Sequence, residues 1–120
     1  MDSADLTVLV AEDEALLRFY AVDIFADRGI RTLEATNSVE ALAIIQNHPE
    51  INVLLTDINM LGEMDGLDLA HEVHRRWPAV QLIIASGRMT PAIGEMPVGS
   101  NFVSKPFKPD AILRLIGLGE

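Results

Sequence analysis

Ile51-Asn52-Val53-Leu54-Leu55-Thr56-Asp57 is apolar at nearly every position until its last residue, a carboxylate. Successive side chains of an extended chain point to opposite faces, so such a run needs cover on both. This is the pattern of a buried strand in a parallel sheet. Two other runs share it: Leu6-Thr7-Val8-Leu9-Val10-Ala11 and Val80-Gln81-Leu82-Ile83-Ile84-Ala85. Ile30-Arg31-Thr32-Leu33-Glu34-Ala35 and Asn101-Phe102-Val103-Ser104 are weaker versions.

The segments between these runs carry helical spacing. From Glu14 to Arg28, the residues Leu17, Ala21, Ile24 and Phe25 fall on one face, and Gly29 ends the helix. Asn37 or Ser38 caps a second helix carrying Ala41, Leu42, Ile44 and Ile45. A third, from Leu67 to Trp77, buries Leu69, Ala70, Val73 and Trp77 and stops before Pro78. A last helix starts at Pro109-Asp110 and carries Ile112, Leu115 and Ile116. Between the fourth and fifth runs, Pro91, Gly94 and Pro97 leave room for one or two helical turns at most. Five strand–helix units with short connections imply a doubly wound α/β fold with a parallel sheet.

Composition bounds the rest. The 120 residues suit one domain, expected to span 1–120. Nine Lys and Arg against 18 Asp and Glu give a net charge of −9, which argues against direct contact with nucleic acid or an anionic membrane surface. It favours a divalent cation. The absence of cysteine excludes disulfides, thiol catalysis and thiolate metal sites. Met1-Asp2-Ser3-Ala4-Asp5 is unlike the basic, then apolar start of a signal peptide, and no apolar run reaches the length of a membrane span. A cytoplasmic, soluble protein is the expectation.

In open α/β sheets ligands bind beyond the carboxyl ends of the strands, so the residues there deserve scrutiny. Glu12-Asp13-Glu14 follows the first run, Asp57 and Asn59 the third, Ser86-Gly87 the fourth, and Lys105-Pro106 the fifth. Each alone reads blandly, as a helix's acidic first turn, a turn-starting Asp or a charged loop. Together, one at each of four strand ends, they are poorly explained that way. If the first and third strands are neighbours, Glu12, Asp13 and Asp57 converge, and three carboxylates repel unless a cation neutralises them. An all-oxygen set suits a hard cation, Mg²⁺ best.

The order and spacing of Glu12-Asp13, Asp57, Ser86-Gly87 and Lys105-Pro106-Phe107 resemble bacterial response-regulator receiver domains over essentially the whole chain. Met64-Asp65-Gly66 looks like the family's third-helix start, and Phe102 falls where the family often places a switch aromatic. The resemblance implies a flavodoxin-like sheet of order 2-1-3-4-5. It implies Asp57 as the acceptor of a phosphoryl group from a sensor histidine kinase or histidine phosphotransfer protein. Mg²⁺ would be held by Glu12, Asp13, Asp57 and the backbone carbonyl of Asn59. Lys105 would neutralise one phosphoryl oxygen, and Ser86 would bond another while Phe102 changes rotamer. Such a chain is a signalling switch rather than an enzyme, a monomer or weak dimer whose output is contact with a downstream protein or onward phosphotransfer.

The sequence departs from that pattern in three places. Leu61 stands after Met60 where the family usually has proline, the loop from Asp57 to Gly66 looks one residue longer, and the fourth helix is stunted. A haloacid-dehalogenase-type phosphatase would also use Asp57 with Mg²⁺. It wants an acid two residues on, where Asn59 stands. A flavodoxin-like binding module would need a phosphate loop where Glu12-Asp13-Glu14 repels phosphate. His48, His71 and His74 read as solvated, Arg75-Arg76 as favouring the third helix's negative end, Trp77 and Phe25 as packing residues, and Arg88 as a rim residue controlling water access.

Overall fold

The period-two alternation of the strands sorts their side chains into two cores. Strands β1 (Thr7–Ala11), β2 (Arg31–Ala35), β3 (Val53–Asp57), β4 (Gln81–Ser86) and β5 (Asn101–Ser104) form one parallel sheet of order β2-β1-β3-β4-β5. On one face Val8, Val10, Val53, Leu55, Ile83 and Ala85 join side chains of α1 (Ala15–Ala26) and α4 (Pro109–Leu115), with Phe25 and Ile112 fully buried. On the other, Leu9, Ala11, Leu54, Leu82 and Ile84 meet α2 (Ser38–Asn47) and α3 (Gly66–Arg76) through Ala41, Ile45, Leu69 and Val73. Each large side chain so buried contributes about 1.5–3 kcal/mol, which is why runs apolar on both faces are required. The computed structural model describes residues 3–87 and 90–118, so Arg88 lies outside the described residues.

Local signals fix the helix ends. Asn37 Oδ1 accepts the Glu40 N–H at 2.8 Å, while Glu40 Oε1 accepts the Thr36 N–H at 2.8 Å. Asp65 and Asp68 cap α3 reciprocally, each carboxylate accepting the other's backbone N–H. Gly29, at φ 71°, lets the chain reverse so that the Ile30 N–H reaches the Phe25 carbonyl at 3.0 Å. That closure ends α1 at Ala26, two residues earlier than its pattern predicts. Pro109 occupies the first turn of α4, as expected.

Three packing expectations change. Leu17 is 39% exposed, because the first turn of α1 lies beyond the carboxyl edge of the sheet, where no strand reaches it. Trp77 follows the last turn of α3 and is half-buried, with the Arg76 guanidinium 4.4 Å above its ring. In α4, Leu113 is buried beside Ile112 and Ile116 while Leu115 is only partly covered. Between β4 and β5 the described helical piece is one 3-10 turn, Ile93–Glu95, as the prolines predict.

The order of strands reverses between β1 and β3. That places the crevice at the carboxyl ends of these two strands, where Glu12, Asp13 and Asp57 stand.

Candidate functional site

Glu12 extends β1 by one more ladder bond, its N–H donating to the Ala35 carbonyl at 3.0 Å, and its side chain is buried. Asp57 is the last residue of β3 and is 8% exposed. It is registered against Ala85 of β4, so Ser86, also buried, stands one residue further out. Ser86 in turn is registered against Ser104, and its carbonyl accepts the Lys105 N–H at 3.0 Å. Sheet register alone therefore brings Asp57, Ser86 and Lys105 to one end of three adjacent strands.

The side chains close the set. Lys105 Nζ lies 2.7 Å from Glu12 Oε1 and 3.0 Å from Asp57 Oδ2. Glu12 Oε2 accepts the Glu14 N–H at 3.1 Å, and Asp57 Oδ1 accepts the Asn59 N–H at 3.3 Å. Asp13 Oδ2 accepts the Leu61 N–H at 3.2 Å, tying the β3–α3 loop to the acidic pair. One oxygen each of Glu12, Asp13 and Asp57 lie within 4.8 Å of one another. Oxygens on an octahedron of about 2.1 Å radius are about 3–4 Å apart, so the donor set fits one small hard cation. Asp13, Asp57, Asn59, Gly87 and Lys105 all line the same open cleft.

Burial and charge act differently on the two members of the Glu12–Lys105 pair. Burial raises the pKa of Glu12 above its ordinary 4.5, aided by the Asp57 charge and only partly offset by the bonds from Lys105 and Glu14. Burial also disfavours the Lys105 ammonium, but bonds to two carboxylates outweigh it and hold its pKa above the ordinary value. The sign for stability follows. Folded Glu12 keeps its proton to higher pH than the unfolded chain does, so its penalty grows as pH rises past 4.5 and is complete above its raised pKa. At neutral pH the site holds carboxylate repulsion that a cation would relieve.

The remaining polar residues sort plainly. Phe102 is registered against Ile84 and half-buried against the α2–α3 core. Sequence reasoning missed Arg18, whose guanidinium bonds the Glu12 carbonyl at 3.0 Å and Glu34 at 3.0 Å. Its signal was a cation one helical turn after Glu14, where it can reach back over the start of α1. His71 is exposed yet engaged, its Nε2 lying 2.7 Å from the Glu95 carbonyl and holding the 3-10 turn against α3. His48 pairs with Glu50 at 3.2 Å, and among the described residues no histidine joins the acidic cluster. Arg75 and Arg76 both face Glu72 in the last turns of α3.

Comparison with known proteins gives a concordant picture. The sequence profile of the response regulator receiver domain matches residues 8–117. An NtrX-like response regulator of Rickettsia bellii is 32% identical over 115 residues, 92% of this chain but 24% of that protein. The sensor kinase CckA of Brucella abortus is 33% identical over 109 residues, 88% of this chain and 11% of its own length. The chain thus spans a quarter or less of these two relatives. A receiver domain from Clostridium thermocellum superposes with a TM-score of 0.84 at 26% identity, covering 92% of this chain and 90% of its own. With this sheet order, a carboxylate cluster at its switch point and a matching profile over nearly its full length, the chain belongs to the response regulator receiver domains, signalling modules of two-component systems.

Proposed function

We propose that the domain is a phosphorylation-controlled switch in which Asp57 accepts a phosphoryl group from a phosphohistidine on a sensor kinase or phosphotransfer protein. The observation that carries this reading is Lys105 Nζ 3.0 Å from Asp57 Oδ2, within a three-carboxylate cluster at the sheet's switch point. A carboxylate oxygen of Asp57 attacks phosphorus, the phosphorus–nitrogen bond of the donor breaks, and the imidazole leaves. Glu12, Asp13, Asp57 and the Asn59 carbonyl would hold Mg²⁺, which supplies the positive charge that offsets carboxylate–phosphoryl repulsion. Lys105 contributes a compact ammonium to one phosphoryl oxygen, and the Ser86 hydroxyl donates to another.

Metal binding is tested by thermal melting near neutral pH. Mg²⁺ at a hundredfold excess over its Kd should stabilise the protein by about 2.7 kcal/mol. In Asp13→Ala that response should largely disappear. A full response in the variant would move the metal elsewhere. Uptake of phosphoryl from a small phosphodonor should likewise require Mg²⁺ and stop when it is chelated.

Output follows from the same residues. Movement of Ser86 toward the phosphoryl group would pull on the segment from Thr90 to Pro97 and let Phe102 change its packing against the α2–α3 core. The short 3-10 turn provides no long rigid helix to swing, so activation should change local order instead. Hydrogen exchange with and without a phosphoryl mimic should show altered protection in residues 90–102. Unchanged protection there, with large changes in α4, would refute this output route. The receiver of the signal is a downstream protein, or the phosphoryl group passes onward.

A further inference from the structure

A cavity of about 310 Å³ lies beneath α1, adjoining the open cleft over the acidic cluster at Leu17, Asp57 and Lys105. Small side chains create it: Ala85 of β4 and Ala21 of α1 leave space that larger residues would fill. Leu17, Tyr20 and Phe107 wall its mouth, where Leu17 is 39% and Tyr20 44% exposed, so a solute has a way in. The mouth is shaped rather than loose. The Tyr20 hydroxyl donates to the Phe107 carbonyl at 2.9 Å, with the two rings 5.9 Å apart.

The lining determines what fits. Polar side-chain atoms from the site enter the wall only through Glu12, Asp57 and Lys105, which are bound to one another at 2.7 and 3.0 Å. An anion would face these carboxylates, and a cation would have to displace Lys105 from both. Away from these three side chains the wall is mostly carbon, from Val10, Ala21, Leu55, Ala85 and Phe107, and carbon supplies none of the two to four polar partners an ordered water needs. An apolar cavity of about 150 Å³ already takes benzene or xenon, and ligand pockets begin at about 300 Å³. We propose that the cavity beneath α1 is a binding site for one uncharged apolar molecule of single-ring size, held by carbon contacts with Ala21, Leu55 and Phe107. The inference does not depend on phosphorylation of Asp57.

Benzene titrated into the protein without phosphodonor, read by methyl carbon–proton shifts of Val10, Leu17 and Leu55, tests it. Wild type should show saturable shifts, and at tenfold excess over Kd the folded-to-unfolded ratio should rise about elevenfold. Ala21→Leu fills the space from the helix and should abolish the shifts. Should that variant fail to fold, Ala85→Val fills it from the sheet, and xenon gives a second probe on wild type. Shifts in wild type that never saturate with either probe overturn the proposal. So does unchanged saturation in a folded cavity-filling variant.

Discussion

Gly66→Ala should destabilise the protein by about 3 kcal/mol or more, with a melting midpoint lower by about 10 °C. A Cβ built on Gly66 meets the Asp57 carbonyl oxygen at 1.8 Å, its carbon at 2.6 Å and Ile58 Cα at 2.8 Å. All three are backbone, so no rotamer change relieves the clash. Relief requires α3 to move away from β3, breaking the Gly66 N–H bond to the Ile58 carbonyl at 2.9 Å and displacing the Asp65 capping box. Against a net stability of about 5–15 kcal/mol for such a domain, this is a large fraction. Gly94→Ala is the control, since nothing lies within 4 Å of its added Cβ and the expected change is within about 0.5 kcal/mol. Melting curves of the two variants that coincide would contradict the account of how α3 is held against the exit of β3.

Asp57→Asn should lower phosphoryl uptake by about a thousandfold or more while the fold persists. The amide keeps the side chain's shape and an oxygen for the Asn59 N–H. It lacks the anionic oxygen that attacks phosphorus. The substitution also removes one of three mutually repelling carboxylates, and Lys105 retains Glu12 at 2.7 Å. Stability without metal should therefore not fall in proportion to the lost uptake. Circular dichroism melts beside phosphodonor labelling separate loss of the nucleophile from loss of the structure.

Fold and site were legible to different depths. The runs in β1, β3 and β4 are apolar on both faces, a pattern that leaves few alternatives to a covered parallel sheet. Helix ends were legible where a side chain or glycine enforces them, as at Asn37, Asp65 and Gly29. Leu17 was misread because helical periodicity says which face is apolar but not how far the neighbouring sheet extends. His71 is exposed as read, but its bond to the Glu95 carbonyl was not legible, because a backbone acceptor leaves no mark on the sequence. The Leu61 contact to Asp13 was missed for the same reason, and so was the bond from Arg18 to the Glu12 carbonyl, although the Arg18 pair with Glu34 is between side chains. That Asp57, Lys105 and Glu12 come together was legible because strand-end position and charge are both written in residue type. Ala21 and Ala85, which open the cavity beneath α1, sit far apart in sequence, and only the packed structure brings them to one space.

The chemistry rests on where the phosphoryl group goes. Protein treated with a small phosphodonor and Mg²⁺, reduced with borohydride and digested, should yield homoserine at position 57 and at no other carboxylate. Incorporation that maps to another residue, or label taken up by Asp57→Asn as fast as by the wild-type chain, would contradict the account.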